Sequence, residues 1–192
     1  MRYLLMVFLL FGITNTAFAQ VEFKPYAEFG VKAGGSFSNM YLEDRISDVP
    51  FYGSLIGGRF VYLGEKNFGI LFETNYSYLT HEDEALGDLS YSYVSTPFLS
   101  RFRIPVGSTA IVINLGSYVQ FVMHNDEKVV LERNALMGLA GGLEFTFPIG
   151  RFTSSVEGRY NNNLHSNSTS IDNLWATWVE VGLVFSYTSR KQ

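Results

Sequence analysis

The stretch Ala27-Glu28-Phe29-Gly30-Val31-Lys32-Ala33-Gly34-Gly35-Ser36-Phe37 decides the fold. Ala27, Phe29, Val31, Ala33, Gly35 and Phe37 are apolar or bare, while Glu28, Gly30, Lys32, Gly34 and Ser36 between them are polar or small. A period of two belongs to a β-strand, whose successive side chains point to opposite faces. One face suits an apolar surround and the other suits water.

The same period recurs along the chain. Ile70, Phe72, Thr74, Tyr76 and Tyr78 alternate with Glu73, Asn75 and Ser77; Phe98, Phe102 and Ile104 oppose Arg101 and Arg103. Ile111 to Met123, Met137 to Phe147, Val156 to Leu164 and Thr177 to Tyr187 repeat the pattern, with Asn114, Glu144, Glu157, Arg159 and Glu180 on the polar side. The faintest segment is Phe51 to Leu63, where Arg59 marks the phase. These segments make eight strands, and no helix-period stripe competes with them.

The connections alternate in length. Long polar stretches lie at about 39–50, 80–90, 124–134 and 165–173, and the short turns Gly64-Glu65-Lys66-Asn67, Pro105-Val106-Gly107-Ser108 and Pro148-Ile149-Gly150-Arg151 lie between them. Long external loops and short periplasmic turns are the habit of outer-membrane barrels. The expectation is therefore an all-β chain, an eight-stranded antiparallel up-and-down transmembrane β-barrel in the outer membrane with both termini periplasmic. Tyr76, Tyr78, Tyr91 and Tyr93 toward the second loop, Trp175 and Trp178 near the fourth, and Phe147, Phe152 and Tyr187 at the turn ends would supply two aromatic girdles.

The N-terminus fits an exported protein. Residues 1–19 read as a signal peptide, with Arg2, an apolar run from Tyr3 to Ile13 and an A-x-A site at Ala17 and Ala19; residues 20–192 form the barrel domain. The run is too short for a membrane helix, which needs roughly 20 residues. No cysteine follows the cleavage site, so a lipoprotein anchor is not expected. The whole chain carries 14 Lys and Arg against 18 Asp and Glu; without Arg2 this becomes 13 against 18, or −5, and nucleic acid is not an expected partner. The absence of cysteine excludes disulfides and thiol catalysis. No cofactor motif is present.

Four segments carry a family resemblance. Phe29-Gly30-Val31-Lys32-Ala33-Gly34-Gly35-Ser36-Phe37-Ser38-Asn39 resembles the opening strand of the PorT-like outer-membrane β-barrel family, with its G-x-K-x-G core leading to Ser-Asn. Tyr93-Val94-Ser95-Thr96-Pro97-Phe98-Leu99-Ser100-Arg101-Phe102 is similar to that family's Y-x-x-x-P-x-L-x-K/R-aromatic strand. Ala140-Gly141-Gly142-Leu143-Glu144-Phe145 and Glu157-Gly158-Arg159-Tyr160-Asn161 resemble its sixth and seventh strands. The chain departs from the family pattern in continuing from Thr188 to Gln192 past the last aromatic, Tyr187. The resemblance implies the barrel. The founding type's role in secretion makes an envelope or secretion protein a partner to consider, although function does not follow from fold.

Two sets of residues are candidates for a site. Glu28, Lys32, Glu73, Arg101, Arg103, Glu144, Glu157, Arg159 and Glu180, with Arg59, share the inward phase, so five basic and five acidic residues balance. Side chains fill the interior of an eight-stranded barrel, so these charges are expected to pair into a plug rather than line a channel. His81, beside Glu82, Asp83 and Glu84, with His124 and His165, lies at loop bases. Such histidines could serve a rim-sited lipid-modifying enzyme or a divalent cation, or simply belong to exposed polar loops. The expected role is structural or external interaction, non-enzymatic, in contact with outer-membrane lipid and lipopolysaccharide. An accessory part in a secretion or transport assembly is the alternative.

Overall fold

The computed structural model describes residues 23–41, 48–82, 88–125, 134–164 and 177–189. The expected signal peptide, His165, Trp175 and most of the four long connections lie outside these residues. The described elements are β1 (Tyr26–Tyr41), β2 (Asp48–Leu63), β3 (Phe68–His81), β4 (Leu89–Val106), β5 (Thr109–Asn125), β6 (Ala135–Ile149), β7 (Phe152–Asn163) and β8 (Thr177–Thr188). Each strand pairs antiparallel with the next, and β1 closes the ring on β8 from Glu28↔Thr188 to Asn39↔Thr177. No described helix is long and apolar enough to cross a membrane.

Two turns show why the hairpins close where they do. β4 passes to β5 through Gly107-Ser108 and β6 to β7 through Gly150-Arg151, with φ +60° at Gly107 and +63° at Gly150. A two-residue hairpin of type I′ or II′ needs positive φ at its first central residue, which glycine adopts at little cost.

The alternation read from the sequence is the alternation of the barrel wall. Phe29, Val31 and Phe37 of β1, Phe72 and Tyr76 of β3, Leu139 and Phe145 of β6, and Val181, Leu183 and Phe185 of β8 face outward and are exposed; Leu183 is 66% accessible. Glu28, Lys32, Glu73, Arg101, Glu144, Glu157, Arg159 and Glu180 face inward and are buried. An ordinary water-soluble core would place these two sets the other way round. On β2, Phe51, Leu55, Val61 and Leu63 point inward while Tyr52 and Ile56 point outward. Apolar residues on both faces explain its faint pattern.

The girdle expectation needs correction. Tyr76, Tyr78, Phe147, Phe152 and Tyr187 are on the outer face, but Tyr91, Tyr93 and Trp178 are buried inside. Tyr91 and Tyr93 are in phase with Arg101, and Trp178 is in phase with Glu180. The strands β4 and β5 also slip register between Ser92 and Tyr93, where Ser92 opposes His124 and Tyr93 opposes Val122. Met123 is the extra residue of this bulge, which bends the wall at the loop end.

Candidate functional site

The lumen has three levels, two of them filled. At its middle, four cations and four carboxylates meet: Lys32, Arg59, Arg101 and Arg159 with Glu73, Glu144, Glu157 and Glu180. The set is neutral overall. Arg159 Nη1 donates to Glu73 Oε2 at 2.6 Å, and its Nη2 donates to Glu157 Oε1. Lys32 Nζ donates to Glu180 Oε2 at 2.9 Å and lies 3.6 Å from Glu157 Oε2. Arg101 holds Glu144 through both terminal guanidinium nitrogens, Nη1 and Nη2, and Arg59 Nη2 donates to the same carboxylate at 3.1 Å. Asn114 Nδ2 and Asn75 Nδ2 donate to Glu144 and Glu73 at 3.2 and 3.1 Å.

This arrangement answers a physical problem. An isolated buried charge costs far more than a protein can offset, so charges in a filled lumen have to be paired and hydrogen-bonded. Inward glycines make room for the long side chains that do this. A Cβ at Gly57 would lie 2.0 Å from Asn75 Oδ1, and one at Gly182 would lie 3.0 Å from Lys32 Cε.

Toward the loops the lumen turns aromatic. Tyr91, Tyr93, Trp178 and Tyr118 form a chain with ring centroids 5.4, 5.7 and 5.0 Å apart; Tyr91 and Tyr93 pack with Phe51, Leu79 and Leu89, and Tyr118 and Trp178 with Leu71 and Leu99. The three hydroxyls are bonded, whereas the Trp178 indole N–H finds no partner among the described residues: Tyr93 Oη and Ser36 Oγ are 3.0 Å apart, Tyr118 Oη donates to Asn163 Oδ1 at 2.7 Å, and Gln120 Nε2 donates to Tyr91 Oη. Sequence reasoning missed this level. Counting by twos from Arg101 and Glu180 would have found Tyr91, Tyr93 and Trp178.

Toward the turns the lumen opens into a vestibule. Glu28 and Arg103, the remaining two charges of the expected inward set, lie here rather than in the central network, beside Lys24, Tyr26 and Arg151. Arg103 Nη1 donates to Tyr26 Oη at 3.3 Å, a contact that crosses the mouth from β4 to β1.

Of the three histidines two are described, His81 at the end of β3 and His124 at the end of β5, with β4 between them. His81 Nδ1 is 2.8 Å from the Pro50 carbonyl and its ring packs on Phe51, 5.5 Å between centroids. His124 is exposed at the end of β5 opposite Ser92, and His165 is outside the described residues. Among the described residues no group of three His, Asp or Glu side chains could hold a metal ion.

Comparison with known proteins bears on the fold. No family model matches the chain, and no curated protein matches it. Its structure is similar to that of the outer membrane protein OprG from Pseudomonas aeruginosa, at 12% identity and a TM-score of 0.53, covering 90% of this chain and 100% of that one. It is also similar to Neisserial surface protein A, at 10% identity and a TM-score of 0.53, covering 83% and 96%. The closed eight-stranded antiparallel barrel is thus a fold of small outer-membrane proteins.

Proposed function

We propose that this chain resides in the outer membrane as a closed, non-enzymatic barrel, with its four long connections outside and both termini in the periplasm. It acts through those connections rather than as a channel. One observation carries the reading: the interior is blocked at two levels, by a neutral network of four cations and four carboxylates and by the Tyr91, Tyr93, Tyr118 and Trp178 rings. An outer face apolar on every strand is what membrane lipid solvates, and lipopolysaccharide would surround the outer half. The resemblance to the PorT-like family adds an envelope or secretion protein as a candidate partner of the outer connections.

Orientation and placement are tested together by labelling intact cells with a membrane-impermeant maleimide, since the chain has no cysteine of its own. The variant Glu82→Cys, at the loop end of β3, should react; Lys66→Cys, in the turn between β2 and β3, should react only after the cells are opened. The opposite pattern would reverse the orientation, and no labelling of either variant until lysis would move the protein out of the outer membrane.

A further inference from the structure

The turn-end vestibule holds about 480 Å³, room for a small solute. Two of its groups have unfinished chemistry. Glu28 is only 7% exposed, yet no described residue gives its carboxylate a hydrogen bond or an ion pair. Among the described residues, Arg103 commits its side chain only to the Tyr26 hydroxyl at 3.3 Å, although a guanidinium offers five donors. Lys24 and Arg151 line the same space, while Arg101 behind them is taken up by Glu144. Apart from Arg101, the charged groups of the wall are therefore one carboxylate for a cation and three cationic side chains for an anion.

We propose that the vestibule binds a small soluble zwitterion, its carboxylate or phosphate on Arg103 with Lys24 and Arg151, its primary ammonium on Glu28. A guanidinium fork matches either anion, and a charge-assisted hydrogen bond is stronger than a neutral one. The Glu28 carboxylate lines this space with no protein partner among the described residues, so an ammonium entering there can give it a charge-assisted hydrogen bond. The ligand comes from water rather than from a lipid leaflet: the vestibule lies inside the ring of strands and opens along the barrel axis, whereas lipid meets the outer face at Phe147, Phe152 and Tyr187. The proposal rests on the closed lumen argued above, since a vestibule that ends at a blocked middle retains a solute that a channel would pass.

The test is isothermal titration of the full chain, refolded in maltoside micelles, with glycine and with O-phosphoethanolamine. Each is compared with its halves: acetate, inorganic phosphate and ethylamine. At least one zwitterion should bind about tenfold tighter than either half, the increment of one charge-assisted contact. Glu28→Gln should erase that advantage while leaving the anion's own affinity, and Arg103→Gln should weaken zwitterion and anion alike. Zwitterions that bind no tighter than their halves, or a Glu28→Gln variant that keeps the full preference, would overturn the proposal. Should a variant not refold, the comparison on the unaltered chain decides alone. Bilayer current recorded from the same sample separates the two readings: a silent protein that binds neither zwitterion refutes the site only, and a steady current refutes the closed lumen.

Discussion

Arg159 on β7 reaches Glu73 on β3, the strand on the opposite side of the ring, with Nη1 2.6 Å from Oε2. A contact between opposite walls cannot coexist with an open axis at that level. The same guanidinium holds Glu157 on its own strand, and its Nη1 lies 3.8 Å from Glu180 Oε2 on β8. The blockage is therefore tied into three strands.

Removing one member of this network leaves an uncompensated charge in a closed interior. Glu73→Gln and Arg159→Gln should each lower the unfolding free energy by about 3–5 kcal/mol, measured by denaturant titration in lipid vesicles. The double variant should cost less than the sum of the two, because each single change strands the other charge. Losses below about 1 kcal/mol for both single variants would mean that water already solvates these groups.

Leu183, near the middle of β8 and 66% exposed, faces outward. On a soluble protein Leu183→Arg would be close to neutral. In a membrane barrel the same change should cost about 2–4 kcal/mol at the bilayer midplane. Unfolding of the two forms in vesicles measures the difference, and a neutral result would remove lipid from the outer face.

The hairpin turns make a conformational prediction free of crowding. A Cβ at Gly107 or Gly150 would meet nothing within 4 Å, so the penalty of Gly107→Ala or Gly150→Ala comes from the positive φ alone. Each should cost roughly 1–2 kcal/mol, read from the same titrations. Stabilisation by either change would show that the turn is not left-handed at that residue.

Trp178 fills the outer level between Tyr93 and Tyr118. Trp178→Ala should destabilise the barrel by about 3–5 kcal/mol through the cavity it leaves. Trp178→Phe, which keeps a ring in the space, should recover most of that. Equal losses for the two would mean that a ring in this space is not what Trp178 contributes, since its indole N–H makes no hydrogen bond among the described residues.

The sequence carried the wall more clearly than the interior. Seven strands were legible because lipid requires an apolar residue at every second position, as in Val179, Val181, Leu183, Phe185 and Tyr187 of β8. β2 was obscure because Leu55, Val61 and Leu63 are needed inside beside an outer Ile56. The inward phase of Lys32, Glu73 and Arg159 could be counted from their neighbours, but their pairing could not. Which carboxylate an arginine reaches depends on the stagger between strands as the sheet closes, and no local signal fixes that. Tyr91, Tyr93 and Trp178 were misplaced because an aromatic near a strand end suits a girdle and a plug equally. The vestibule was invisible for a similar reason: Lys24 precedes β1 and Arg151 sits in a turn, so neither shares a strand period with Glu28 or Arg103.

Single-channel recording of the refolded full chain in a planar bilayer addresses the closed lumen most directly. With insertion confirmed by protease protection of the strands, the account predicts no stable large conductance at either polarity. A reproducible, long-lived open level would mean that the Arg159–Glu73 contact does not block the axis, and would contradict it.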